Sequence, residues 1–389
     1  MSLPLSLYIH VPWCIKKCPY CDFNSHVHAA AEPLKGDESI SSPAPLPEMD
    51  YLQALLQDFK QDRQLLEEPR PLQSIFIGGG TPSLLSADFY ALLIDALREQ
   101  ITFASDIEIT LEANPGTVDQ ANFAGFRRAG INRLSIGVQS FSNNALQKLG
   151  RIHNGDDAVR AYVKARDAGF DNINLDLMHG LPMQLVSDAE ADLQQAIDLQ
   201  PEHISWYQLT IEQNTAFYNF PPTLPNEKTL GAIQDAGFAL LAKNSYEQYE
   251  VSAFSRAGRA SMHNLNYWMF GDYLGIGAGA HGKLSYQGKV TRRWKTRMPN
   301  HYLANSNKLA GEQAIDAVEL PLEFMLNALR LKKGFAKELF AARTGLDLNV
   351  VAGKIDSLVE RHLLIQDDHR IAASGHGWLF LNDLIAEFS

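Results

Sequence analysis

An alternation of short apolar runs with helical-period segments narrows the fold more than any other feature of the chain. Runs rich in Ile, Leu and Val recur at Leu7–Val11, Ser74–Ile77, Ile107–Leu111, Arg133–Gly137, Asn172–Leu177 and His203–Leu209. Between them Leu52, Leu55, Leu56 and Phe59 follow i, i+3, i+4, i+7, and Leu85, Phe89, Leu92 and Leu93 do so approximately. Ser187 with Glu190 reads as a capping box ahead of Leu193, Ala196 and Ile197. Strands alternating with helices at this spacing form parallel βαβ units. Six such units make an open sheet or part of a barrel, and periodicity by itself does not choose.

Three cysteines direct the chemistry. Cys14, Cys18 and Cys21 are the only ones in 389 residues, and they follow the first apolar run. An odd number within eight positions is no disulfide framework. Thiolates hold iron–sulfur clusters, and three on a four-iron cluster leave one iron open to an external ligand. Zinc with His26 or His28 as a fourth ligand stays open, as does a Cys18/Cys21 redox pair that leaves Cys14 unexplained. Gly78-Gly79-Gly80-Thr81-Pro82 follows the second run, where glycines let backbone approach a ligand closely. Glu112, Gln139 and Asp176 sit at or just beyond the ends of successive runs, where a polar residue faces a barrel mouth.

Hydrophobic residues make up 46% and charged residues 20%, enough to bury a core and to exclude wholesale disorder. No stretch approaches the ~18 apolar residues that span a bilayer, and Met1–Val11 lacks the basic start of a signal peptide, so a cytoplasmic location is expected. Lys plus Arg is 34 against 45 for Asp plus Glu, a net −11 that argues against nucleic acid as partner. Against this background, Tyr273 to Gly311 carries Lys283, Lys289, Arg292, Arg293, Lys295, Arg297 and Lys308 with no acidic residue. Such a strip reads as a solvated basic face or as an anion site, for the carboxylates of a ligand or for an acidic partner. The Pro- and Ser-rich segment Ala29–Pro47 reads as an exposed inserted loop. The expected division is a barrel over 1–215, an extension over 216–320, and a mostly helical, winged-helix-like module over 321–389. From Gly334 onward that module has five basic against eight acidic residues, the charge of a packing or cover domain rather than a DNA binder.

With Tyr20 as the aromatic, C-x3-C-x-aromatic-C resembles the signature of the radical S-adenosylmethionine (SAM) superfamily. The resemblance implies an α/β fold built on a partial (β/α)6 barrel, a [4Fe–4S] cluster on Cys14, Cys18 and Cys21, and SAM on the open iron. Tyr8-Ile-His-Val-Pro-Trp-Cys14, Gly78–Ser83, Glu112-Ala-Asn-Pro, Ile136-Gly-Val-Gln-Ser140, Asp176-Leu-Met-His-Gly-Leu-Pro182 and His263-Asn-Leu-Asn-Tyr-Trp268 are similar to the oxygen-independent coproporphyrinogen III oxidase family. Within it the chain is most similar to a branch of haem chaperones. By this resemblance Tyr8, Gly79, Gly80, Thr81 and Glu112 contact the cluster-bound SAM. Gln139, Arg151 and Asp176 match positions that contact a second SAM or line the active site. The oxidases carry a fourth cysteine where this chain has Phe23, and a long arm before their cysteines where thirteen residues precede Cys14 here. His263-Asn-x-x-Tyr-Trp268 is the signature of the chaperone branch.

Two activities therefore stand: haem binding and transfer with a cluster and SAM, and oxidative decarboxylation of coproporphyrinogen III. The first implies haem as ligand, an acceptor haem protein that can be membrane-associated, and an electron donor such as a flavodoxin. His263 is then the expected haem ligand, with Tyr267 as an oxygen alternative and His10 next. Tyr267 and Trp268 would lay flat faces against the porphyrin.

Overall fold

A computed structural model describes residues 3–28 and 45–389. Of the expected inserted loop, residues 29–44 lie outside the described residues. Six parallel strands lie side by side in chain order: β1 (Leu5–Val11), β2 (Leu72–Gly79), β3 (Phe103–Ala113), β4 (Arg133–Gln139), β5 (Ile173–His179) and β6 (His203–Gln208). The crossovers are made by α1 (Glu48–Arg63), α2 (Ala87–Gln100), α3 (Thr117–Arg128), α4 (Gly155–Asp167) and α5 (Val186–Asp198). Each apolar run of the sequence is one of these strands, and this is the partial (β/α)6 barrel. Alternation along β1 buries Leu5, Leu7, Ile9 and Val11 in the main core and turns Tyr8 and His10 to the opposite face.

The two helical periods fall on α1 and α2. In α1 Leu52, Leu55 and Phe59 are buried. In α2 Phe89 and Leu93 are buried while Leu92 is exposed, and Ser86 caps the helix by accepting the Phe89 N–H at 3.1 Å. The Ser187–Glu190 box is not used. Helix α5 starts at Val186, and the Asp188 carboxylate accepts the Leu185 N–H at 2.9 Å, which leaves Ser187 inside the first turn.

The region expected as an extension of its own joins the barrel sheet. After α6 (Glu227–Lys243) come β7 (Glu247–Glu250) and β8 (Ala253–Ser255), of which β8 pairs antiparallel with β6 and β7 antiparallel with β8. After α7 (Met262–Trp268), β9 (Asp272–Ile276) pairs parallel with β1, Leu5 opposite Asp272 and Ile9 opposite Ile276. Strands β10 (His281–Tyr286), β11 (Lys289–Lys295) and β12 (Leu309–Ala314) continue antiparallel. The result is one twelve-stranded sheet in the order β12-β11-β10-β9-β1-β2-β3-β4-β5-β6-β8-β7. Helix α7 is held at its start by Glu108 of β3, whose carboxylate accepts the N–H groups of Met262 and His263, both at 3.2 Å. An acidic side chain there satisfies donors that the helix itself leaves unpaired.

Most of the basic strip is committed to partners within the fold rather than spread over a solvated face. Lys295 is buried with its Nζ 2.5 Å from Asp58 and 2.8 Å from Asp62 of α1. Buried Arg293 reaches Asp62 at 3.3 Å and also pairs with Glu312. Lys283 lies 3.4 Å from Asp272, Lys308 donates to the Tyr302 carbonyl at 2.6 Å, and Arg292 pairs with Glu323. Charges removed from water need partners, and α1 and β9 supply them. Among the described residues Lys289, Arg297 and Lys308 of the strip have no carboxylate within ion-pair reach, and of these Lys308 is buried on backbone carbonyls.

The C-terminal module has its own core of Phe324, Phe335, Phe340, Ile355 and Ile371. Two helices, Lys337–Thr344 and Asn349–Glu360, pack with a small antiparallel sheet in which Arg370–Ala373 lies between Phe335–Ala336 and Leu364–Gln366. This is the winged-helix-like arrangement the sequence implied.

Candidate functional site

The cysteine loop leaves the end of β1 and is fastened to the glycine turn at the end of β2. Gly80 N–H donates to the Val11 carbonyl and Thr81 N–H to the Trp13 carbonyl, both at 2.7 Å. Gly79 N–H donates to Glu112 Oε2 at 3.1 Å. The structure corrects the reason for these glycines. A Cβ on Gly80 would lie 2.4 Å from the Trp13 carbonyl oxygen, and one on Gly79 would lie 2.5 Å from the His10 ring. Gly79 also has φ +112°, a region that disfavours any side chain. The chain's own packing therefore excludes a side chain before any ligand does. With all three N–H groups engaged, the turn can offer a ligand only carbonyl oxygen, an acceptor suited to an ammonium.

Cys14, Cys18 and Cys21 line one cavity of about 300 Å³ together with Gly79, Gly80, Thr81, Glu112, Gln139, Arg151 and Asp176. Thr81 Oγ1 lies 3.6 Å from Cys14 Sγ, and Ser25 Oγ lies 3.8 Å from Cys21 Sγ. Arg151 donates to Cys18 Sγ at 3.6 Å, to Asn114 Oδ1 at 2.6 Å and to the Gly137 carbonyl at 2.8 Å. Burial pushes the Cys14 and Cys21 thiols up, so a cationic metal centre is what would hold them as thiolates. Among the described residues no three His, Cys, Asp or Glu side chains converge as ligands of a single metal ion. Three thiols around one cavity are the donor set of a cluster that bridges them.

Opposite the thiols stand two carboxyls. Burial, reinforced by Asp176, pushes the Glu112 carboxyl up to about 8. Burial also raises Asp176, which accepts from Ser135 Oγ at 2.7 Å and Asn174 Nδ2 at 2.8 Å. Asp176 lies in the middle of β5, three residues before its end, and still reaches the cavity. Gln139 ends β4 at φ +67°, strained backbone for a non-glycine residue, and its Oε1 accepts the Tyr207 hydroxyl at 2.8 Å. Asn114, Ser135 and Tyr207 also line the cavity and were not singled out from the sequence. Asn114 lay within the quoted Glu112-Ala-Asn-Pro run. Tyr207 and Ser135 had no signal beyond their place on strands.

A second cavity of about 610 Å³ adjoins the first, sharing Phe23, Gly79 and Glu112 with it. Tyr8 is here rather than beside the thiols, its hydroxyl 2.9 Å from His10 Nδ1. His10 Nε2 is 2.9 Å from the Asn24 carbonyl, so both ring nitrogens are taken. Tyr267 stands on the wall, with Tyr273 and Trp294. His263 does not. It is buried one layer behind, its ring stacked on Phe76 at 5.0 Å and set edge-on to Tyr267 at 4.7 Å. Its Nδ1 is 3.0 Å from Ser74 Oγ, its Nε2 is buried without a partner, and burial lowers its pKa to about 3. Trp268 faces Arg330, 5.7 Å over its ring, and not this cavity. Of the three residues expected around a porphyrin, Tyr267 alone reaches the space where one could lie.

Residues 8–196 match the Radical SAM superfamily model, and residues 315–380 match the HemN C-terminal domain. The chain is 48% identical to the heme chaperone HemW of Haemophilus influenzae, over 99% of this chain and 98% of that one. It is 46% identical to the heme chaperone HemW of Escherichia coli, with the same shares covered. The structure of coproporphyrinogen III oxidase (HemN) from Escherichia coli, a radical SAM enzyme, matches with a TM-score of 0.77 over 100% of this chain and 90% of that one. At 22% identity that likeness is one of fold.

Proposed function

Because this chain belongs to the HemW family of the radical SAM superfamily, we propose that it binds haem and passes it to an acceptor haem protein, with a [4Fe–4S] cluster and SAM as its cofactors. The observation that carries the reading is the pair of adjoining cavities, one ringed by the three cysteines and the other walled by aromatic side chains. Cys14, Cys18 and Cys21 would hold the cluster. When bound, a reduced cluster supplies an electron to SAM. Gly79, Gly80 and Thr81 would offer backbone oxygen to the SAM ammonium, Glu112 would take hydroxyl or ammonium donors, and Gln139, Arg151 and Asp176 would close the remaining sides. Tyr8 and Tyr267 would face the haem. Arg151, held by Asn114 and the Gly137 carbonyl, would keep a positive charge against the Cys18 sulfur.

Phe23 favours the chaperone over the decarboxylase. It occupies the position of the oxidases' fourth cysteine and is exposed between the two cavities. No helix among the described residues is long and apolar enough to cross a membrane, so a membrane-associated acceptor would be met by docking. The net charge of −11 weighs against nucleic acid. An electron donor of flavodoxin type and a cytoplasmic location belong to the same reading. The test is anaerobic incubation of reconstituted protein with coproporphyrinogen III, SAM and a reductant, beside a haemin titration. The expected result is no protoporphyrinogen together with a saturable Soret change. Turnover to protoporphyrinogen would replace the proposal with the oxidase.

A further inference from the structure

Resting on the haem reading, we infer that haem binds in the second cavity through His281, with Arg297 holding a propionate. At about 610 Å³ the cavity lies within the ~300–1,000 Å³ range of small-molecule sites. Its walls carry Tyr8, Phe23, Tyr267, Tyr273 and Trp294. Five aromatic faces suit a flat apolar macrocycle, and the Tyr267 of the family-specific run is one of them.

Haem iron needs an axial donor, and the histidines sort themselves by what their nitrogens already do. Both nitrogens of His10 are hydrogen-bonded, to Tyr8 and to Asn24. His263 lies behind the wall and would have to leave its packing against Phe76 and Ser74. His281, the first residue of β10, lines the cavity, is exposed, and makes no side-chain hydrogen bond among the described residues. Its backbone is fixed: a Cβ on Gly275 of β9 would lie 1.9 Å from the His281 carbonyl oxygen, and Trp294 sits opposite it in the β10–β11 ladder. Partial burial and the nearby Arg292 and Arg297 lower its pKa, which keeps the imidazole neutral and its lone pair available.

The same sorting applies to the cations. Lys295 is committed to Asp58 and Asp62, Arg293 to Asp62 and Glu312, and Arg292 to Glu323. Arg297 also lines the cavity, is exposed, and has no carboxylate partner among the described residues. A guanidinium is the fitting partner for a carboxylate, and the acidic groups on this wall, Asp22 and Glu112, do not pair with it. The anion site expected of the strip thus contracts to one residue.

The test titrates haemin into anaerobically reconstituted full-length protein and follows the Soret band. His281→Ala is expected to weaken haemin binding at least ~10-fold, as loss of an iron ligand should, and to remove the imidazole-ligated spectrum, which added imidazole restores. Arg297→Gln is expected to weaken binding ~2- to 5-fold with the spectrum kept, the size of an exposed ion pair. SAM affinity, unchanged in both, reports that the fold is intact. His281→Ala with wild-type spectrum and affinity would overturn the assignment while leaving haem binding in place. Wild-type protein that takes up no haemin would instead overturn the haem reading itself.

Discussion

The two cavities share a wall but are finished to different degrees. Around the thiols, polar groups are already paired: Arg151 with Asn114 and the Gly137 carbonyl, Glu112 with the Gly79 N–H, Asp176 with Ser135 and Asn174, Gln139 with Tyr207. In the larger cavity His281 and Arg297 have no side-chain partner among the described residues, and Tyr8, Phe23, Tyr267, Tyr273 and Trp294 stand around them. A preorganised site suits resident cofactors, whose geometry must be held during chemistry. A site with a few unpaired groups on apolar walls suits a cargo that has to leave, because less is built around it. On the proposed function, the difference separates what this protein would keep from what it would carry.

The largest expected effect tests the frame between the cavities. Lys295 lies on the wall of the larger cavity, yet its charge is spent on Asp58 and Asp62. Lys295→Met would leave buried Asp58 without a cation and Asp62 with Arg293 alone, and is expected to cost about 3–5 kcal/mol of unfolding free energy, read from urea denaturation. A loss under ~1 kcal/mol, the worth of an exposed pair, would show that the strip is surface after all, and the contrast with Arg297 would collapse.

That contrast also marks where the sequence stops being readable. The barrel strands were legible because each is a short apolar run, and the first cavity was legible because its residues follow those runs: Cys14 after β1, Gly79 at the end of β2, Glu112 in β3. The larger cavity joins β1, the cysteine loop, α7 and the β10–β11 region, and no local pattern announces a meeting of Tyr8 with Arg297. The strip misled for a similar reason, since its partners Asp58 and Asp62 lie more than 200 residues earlier. One clue was present: Asp58 and Asp62 share the buried face of α1 with Leu55 and Phe59, and acids on an apolar stripe call for cations from elsewhere. His263 lies in a family-specific run, and in this structure that run packs. Here it seats α7 on Glu108 and Ser74.

A smaller effect probes the finished cavity through pH. Glu112 is held up to about 8 when folded, against an ordinary value of 4.5. The folded protein therefore binds more protons than the unfolded chain between these values, so this residue's contribution is full below pH 4.5 and is lost as pH rises to about 8. Glu112→Gln should flatten the fall in urea midpoint across that window, while SAM binding weakens. Asp176, raised in the same direction, adds a slope that the variant keeps. An unaltered pH profile in Glu112→Gln would place Glu112 in a wetter setting than its burial implies.

The most direct test of two separate sites is to replace Cys14, Cys18 and Cys21 together by Ser, then measure iron content and haemin affinity on one preparation. The account predicts that the iron of reconstitution disappears while haemin affinity stays within ~2-fold of wild type, as expected for sites that do not share ligands. Loss of haemin binding together with the iron would contradict it, because the thiolates would then be holding the haem.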